Sequence, residues 1–267
     1  MKDKELKEIV REKYDLIAKQ SKTQNENSCC GATSCCSLDD YTRFSENYEK
    51  IEGYNPEADL GLGCGIPTQF AGIKKGDVVL DLGSGAGNDC FVARSIVGET
   101  GKVYGIDFTD AMLIKANANN LKLGYENVEF VKGDIDDMPL SDNLIDVIIS
   151  NCVLNLVPDK QKAFSEIKRV LKPGGHFCVS DVVIEGALPE KILHDAEMYA
   201  GCVSGAIEKD EYLGIITDNG FRDVTVHKSK QIEVPDEILN QYLSAEELKQ
   251  YRDSGAGLYS ITVSATK

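Results

Sequence analysis

Short apolar runs alternate with helical stretches through the middle of the chain. VVLDL at 78–82, VYGID at 103–107, VEFV at 128–131, IDVIIS at 145–150 and FCVSDVV at 177–183 are brief and mostly apolar, as strands buried on both faces require. Helical periodicity fills the intervals near 88–97, 109–123 and 159–171, and Lys172-Pro173-Gly174-Gly175 stops the last of these. This alternation predicts an α/β fold, a doubly wound and mostly parallel sheet covered on both faces. Further strands at 224–229 and 259–266, with helices near 189–200 and 208–219 before them, bring the sheet to seven strands.

Upstream, Leu6, Ile9, Val10, Tyr14 and Ile17 recur at helical spacing and predict an amphipathic helix over residues 3–20. The polar stretch 21–40 breaks that pattern and carries Cys29, Cys30, Cys35 and Cys36, so it reads as a thiol-bearing loop. A short helix over Pro67–Ile73 would return the preceding Leu62-Gly63-Cys64-Gly65 loop to the ligand edge of the sheet. Three parts are expected: an N-terminal helix and cysteine-rich segment at 1–45, a Rossmann-like core at 46–184, and a C-terminal region at 185–267 that completes the sheet and caps the site.

Composition narrows the function. With 29 Lys and Arg against 44 Asp and Glu, the net charge of −15 and the absence of a basic cluster argue against nucleic acid as substrate. No run approaches the ~18 apolar residues of a spanning helix, and the charged first twenty residues contain no apolar signal core. A cytoplasmic setting is expected, in which most of the nine cysteines are reduced thiols suited to chemistry or soft-ion binding. Three scattered histidines leave little scope for a histidine-rich metal site.

The first chemical motif is Asp81-Leu82-Gly83-Ser84-Gly85-Ala86-Gly87, which leads from a strand straight into a helix. Glycines there let the backbone approach a ligand closely, and Asp107 at the end of the next strand is placed to accept ribose hydroxyls. A dinucleotide fingerprint would place glycine at position 88, where Asn88 stands. Residues 76–184 instead resemble the class I methyltransferases, through this loop, the turn Gly133-Asp134-Ile135-Asp136-Asp137-Met138-Pro139 and the Leu-Lys-Pro-Gly-Gly end of the helix before strand five. The resemblance implies S-adenosylmethionine as cofactor and Asp81, Gly83, Ser84, Gly85, Asp107, Met112, Asp134, Ile135 and Asn151 as its binding set. A plain strand-to-helix turn, with Asp107 capping the next helix, is the structural alternative.

Cys152 closes the fourth strand, Cys64 lies in the returning loop, and Cys202 follows the helix after strand five, so the three thiols can converge. Here the chain resembles the arsenite methyltransferases over nearly its full length, through Asp59–Thr68, Asp81–Cys90, Asn151–Asn155 and Gly201–Gly205. The resemblance implies that Cys152 and Cys202 bind trivalent arsenic, that Cys64 assists, and that Cys36 or its neighbour Cys35 pairs with Cys64 in a disulfide during turnover. Arsenite and methylarsenite are then the substrates, and thioredoxin or glutathione the reductant. Thiolates are the ligands that a soft centre such as trivalent arsenic prefers. Cys90 and Cys178 read as buried small hydrophobes, and Cys29-Cys30 with Cys35-Cys36 as either catalytic thiols or a metal trap. Two other functions fit the same core: methylation of a quinone-type organic acceptor, and a non-catalytic thiol scavenger of arsenic or metal.

Overall fold

The computed structural model describes residues 3–20, 47–188, 205–233, 236–240 and 243–267. Helix α1 (Asp3–Ala18) is followed by the alternating series β1 (Val78–Leu82), α2 (Asn88–Val97), β2 (Lys102–Asp107), α3 (Asp110–Leu123), β3 (Val128–Lys132), β4 (Ile145–Asn151), α4 (Lys160–Val170) and β5 (Leu171–Glu185). The chain continues through α5 (Lys209–Asp218), β6 (Arg222–Ile232), α6 (Asp236–Leu239), α7 (Ala245–Ser254) and β7 (Gly257–Thr266). All seven strands form one sheet in the order β3-β2-β1-β4-β5-β7-β6. The first five are parallel, and β7 runs antiparallel to both β5 and β6.

Because strand side chains alternate between faces, β1 feeds two cores at once. Leu80 and Leu82 join Phe164, Phe177, Tyr212 and Phe221 on the α4–α5 face, while Val79 joins Cys90, Phe91 and Met112 on the α2–α3 face. On the first face, Phe164 packs edge-on against Tyr212 and Phe221, with centroids 5.8 and 6.4 Å apart. Arg169 at the end of α4 fastens the turn after β3: its guanidinium donates to the Met138 carbonyl at 3.0 Å and pairs with Glu166, whose carboxylate accepts the Met138 N–H.

Three departures from the sequence reading have local causes. Strand β5 runs from 171 to 185 rather than 177–183, because β7 pairs with it from His176 to Glu185. Its first residue pairs with β4 ahead of a register shift that takes up the Pro-Gly-Gly. The helix expected at 67–73 shrinks to a single 3-10 turn, Pro67–Gln69, ahead of Gly72 in the left-handed region at φ +59°. Helix α7 was not foreseen, although Ser244 and Glu247 form a capping box whose Ser-x-x-Glu spacing is plain in the sequence. The helix expected at 189–200 lies outside the described residues, as do Cys29, Cys30, Cys35, Cys36 and Cys202. No helix among the described residues is long and apolar enough to cross a membrane.

Phe164 is fully buried and central to the aromatic cluster. Phe164→Ala is expected to cost about 3–5 kcal/mol of stability, read as a lower urea midpoint at unchanged slope.

Candidate active site

Strand order reverses between β1 and β4, and a cleft opens at the carboxyl ends of the strands there. The glycine loop forms one wall. Gly83 has φ +65°, and a Cβ on it would sit 2.6 Å from Val153, so no larger residue fits. At Gly85, with φ +51°, the nearest atom to such a Cβ is Met112 Sδ at 4.0 Å, and the residue faces open cleft. The Asp107 carboxylate accepts the Gly85 N–H at 3.0 Å and the Thr109 N–H at 2.8 Å, so it ties the loop to β2 and caps the turn into α3. The N-cap of α3 is Thr109, whose side chain makes no capping bond, so Asp107 closes the turn before the helix while also standing on the cleft wall. Met112, Asp134, Ile135 and Asn151 also line the cleft. Helix α1 contributes Lys7, Val10 and Tyr14 to it, and Lys7 bonds Asp134 at 3.1 Å and Asp136 at 2.9 Å.

Three buried carboxylates meet at this wall: Asp81, Asp89 and Asp107, each less than a tenth exposed. Burial, and then the charge of Asp89, push the Asp81 carboxyl well above the usual carboxylate range. Burial raises Asp89 to about 6, against hydrogen bonds from Tyr48 and Asn151 that favour its charged form. Burial also raises Asp107, opposed by the backbone N–H of Thr109 and Gly85. Such a wall favours a cationic ligand, which would relieve the repulsion. Ser84 Oγ and Asn88 Oδ1, buried at the same wall, have no hydrogen-bond partner among the described residues and offer polar contacts to a ligand. S-adenosylmethionine carries a sulfonium and an ammonium, and the wall fits it.

Cys64 and Cys152 sit next to this wall, each 4% exposed and packed in one apolar cluster with Val182, Leu239, Tyr251 and Leu258. Cys152 lines the cleft and has φ +60°, a left-handed conformation that costs an L-residue roughly 1–2 kcal/mol. Its N–H donates to the Ser180 carbonyl at 2.7 Å. The Cys64 carbonyl accepts from Ser260 Oγ at 2.6 Å, and its N–H donates to Asn151 Oδ1 at 3.0 Å. Cys90 and Cys178 are fully buried. Burial pushes the Cys178 thiol up to about 12, which keeps it a protonated packing group. Cys90 does more than pack: its thiol donates to Asp81 at 3.3 Å, a role its spacing does not reveal. Tyr48 and Asp89 also went unnoticed in the sequence, because nothing in their local context marks them.

A family model described as a methyltransferase domain matches residues 73–220. The arsenite methyltransferase of Halobacterium salinarum is 38% identical over 98% of this chain, which spans 67% of that protein. The crystal structure of an arsenic(III) S-adenosylmethionine methyltransferase from Chlamydomonas reinhardtii superposes with a TM-score of 0.63 at 37% identity, covering 77% of this chain and 67% of that one. The chain belongs to the arsenite methyltransferase family. A 2-phytyl-1,4-beta-naphthoquinone methyltransferase of Arabidopsis thaliana reaches 39% identity, but over only 53% of this chain and 55% of its own. The likeness to the arsenite methyltransferases extends beyond that shared portion to nearly the whole chain.

Two outcomes follow for this family member. S-adenosylmethionine affinity, measured by calorimetry, is expected to rise as pH goes from 5 to 7. Asp89 becomes charged through about 6 and attracts the cation more strongly, and Asp89→Asn should flatten the profile. Because Cys152 is held at positive φ, Cys152→Gly should be more stable than Cys152→Ala by about 1 kcal/mol in thermal or urea unfolding.

Proposed function

We propose that this protein transfers the methyl group of S-adenosylmethionine to trivalent arsenic, as arsenite and then methylarsenite, held by the thiolates of Cys64, Cys152 and Cys202. The observation that carries the reading is the packing of Cys64 with Cys152 at the carboxyl edge, directly beside the carboxylate-lined cleft. Cys202 lies three residues before Gly205, a chain reach of roughly 10 Å. Gly205 itself rests on the turn after Cys152, where a Cβ would fall 1.7 Å from the Asn155 carbonyl oxygen.

Arsenite is a neutral hydroxide at physiological pH, so a chain of charge −15 does not repel it. Each thiol that replaces a hydroxide sends its proton away with that hydroxide as water. Arsenite, with three hydroxides to lose, is then held by three As–S bonds and methylarsenite by two, in a drier setting near the cleft and with the lone pair intact. Bound S-adenosylmethionine supplies an electrophilic methyl on a positively charged sulfur. The arsenic lone pair forms the As–C bond while the S–C bond breaks, and no general base is required. Asp89, charged above about pH 6, attracts the cation, Asp107 accepts the ribose hydroxyls, and Gly83 and Gly85 let the loop approach the cofactor.

Transfer takes the arsenic from the trivalent to the pentavalent state. Attack of Cys36, or of the adjacent Cys35, on the Cys64 sulfur forms a disulfide as the Cys64 As–S bond breaks; the bonding pair stays on arsenic and restores the trivalent state, and the attacking thiol releases its proton. Thioredoxin or glutathione then reduces the disulfide, as a cytoplasmic setting permits. The outcome is arsenic biotransformation and detoxification.

Incubation with arsenite, methyl-labelled cofactor and glutathione, followed by arsenic speciation, is expected to give methylated arsenic. Cys64→Ser and Cys152→Ser should each lower that yield by about a hundredfold while S-adenosylmethionine still binds. Label appearing in a quinone-type acceptor but never in arsenic would overturn the proposal. Arsenic bound tightly without any methylation would make the protein a scavenger instead.

A further inference from the structure

One side chain makes three hydrogen bonds to the loop that carries Cys64, and that side chain immediately precedes Cys152. Asn151 Oδ1 accepts the N–H of Cys64 at 3.0 Å and that of Gly65 at 3.3 Å, while Nδ2 donates to the Gly65 carbonyl at 2.8 Å. The amide thus grips two consecutive peptide units of the loop, much as a neighbouring strand would. Nδ2 also reaches Tyr48 Oη at 2.9 Å and Asp89 at 3.1 Å, and Tyr48 donates to Asp89 at 2.8 Å. Tyr48 and Asp89 are buried, and their bonds to Nδ2 fix which way the half-buried amide faces.

The glycines beside Cys64 fit the same grip. A Cβ on Gly63 would lie 2.6 Å from Asn151 Nδ2, and one on Gly65 would lie 2.3 Å from Ser180 Oγ. Both positions must lack a side chain for the loop to lie flat on β4 and β5. On the other side, Ser260 of β7 holds the Cys64 carbonyl.

Asn151 lines the cleft, but its bonding capacity is already used. Two lone-pair directions on Oδ1 meet two donors, and two hydrogens on Nδ2 face three acceptors. Nothing remains with which to bind a cofactor. We infer that Asn151 is a positioning residue that locks the Cys64 backbone against the end of β4, so that the Cys64 and Cys152 thiols are held at the separation needed to grip one arsenic atom together. The role extends to Asp89, which acts through Asn151, and to Tyr48, which bonds both the Asn151 amide and, at 3.0 Å, the Gly65 carbonyl of the loop itself. It rests on the proposed capture of arsenic by thiolates, and it replaces cofactor contact as the duty of this amide. A pair of thiols held in place before binding loses less freedom on capture, so the effect falls on arsenic affinity rather than on the cofactor.

The test compares the full chain with Asn151→Ala and Tyr48→Phe. Bridging of Cys64 to Cys152 by the bifunctional thiol reagent dibromobimane is mapped by peptide mass spectrometry, beside single alkylation of each thiol by iodoacetamide. Arsenite affinity and S-adenosylhomocysteine affinity are measured on the same samples. Asn151→Ala is expected to lower bridging and arsenite affinity by about ten- to a hundredfold, the range found for residues that orient metal ligands, with alkylation undiminished and S-adenosylhomocysteine affinity kept. Tyr48→Phe, which removes one hydroxyl, should move the same two quantities in the same direction and less far. It decides the matter if Asn151→Ala fails to fold. Bridging and arsenite affinity equal to the unmodified chain in both variants would overturn the inference. So would a loss of S-adenosylhomocysteine affinity with bridging unchanged, which would return Asn151 to the cofactor. Bridging uses no arsenic: a chain that bridges in an Asn151-dependent way but binds no arsenite would sink the arsenic reading and leave the positioning role standing.

Discussion

Reversal of strand order between β1 and β4 is the constraint on which the site depends. The connection leaving β1 turns toward α2 on one face of the sheet, whereas the one leaving β4 turns toward α4 on the other, so the carboxyl edge opens between them. Glycine loop, carboxylates and thiols are all reached from that opening. The glycine loop, Asp107 and Cys152 need no long excursion from the sheet, because each lies within a few residues of a strand end, whereas Cys64 is carried in on the loop before β1. Gly83–Gly85 follow β1, Asp107 ends β2, and Asn151-Cys152 ends and follows β4.

Two unlike environments share this edge. On the β1–β2 side, burial, with added repulsion from neighbouring carboxylates, raises the proton affinity of Asp81 and Asp89 and favours a cation. On the β4–β5 side, Cys64 and Cys152 sit among apolar groups from α6, α7 and β7, a setting that suits a neutral, soft substrate. The Tyr48–Asp89–Asn151 triangle marks the boundary and belongs to both: Asp89 faces the cation side, while the Asn151 amide faces the thiol loop. A methyl donor and a lone-pair acceptor can therefore be held side by side, each in the medium it prefers.

The antiparallel strands β6 and β7 give the C-terminal region two duties. They complete the sheet beyond β5, and through Ser260 and Leu258 they brace the Cys64 loop and wall the thiol cluster. Arg169 does comparable work at the other end of the cleft, where it holds the Asp134–Met138 turn through its bonds to the Met138 and Leu140 carbonyls.

What could be read along the chain was local. Apolar runs of four to eight residues marked the strands, helical spacing marked the helices between them, and the Asp81–Gly87 loop with Asp107 marked the carboxyl edge where the cleft lies, because each signal is complete within a few neighbouring residues. Edges were less legible where a partner sets them, as when pairing with β7 carries β5 to Glu185. The meeting of Cys64 with Asn151 spans 87 residues, that of Tyr48 with Asn151 spans 103, and that of Asp89 with Asn151 spans 62. No pattern in the residues around Tyr48 or Asp89 announces those bonds. Folding creates them by stacking distant segments on one strand end, and a hydrogen bond is specified by that placement in space rather than by the order of residues.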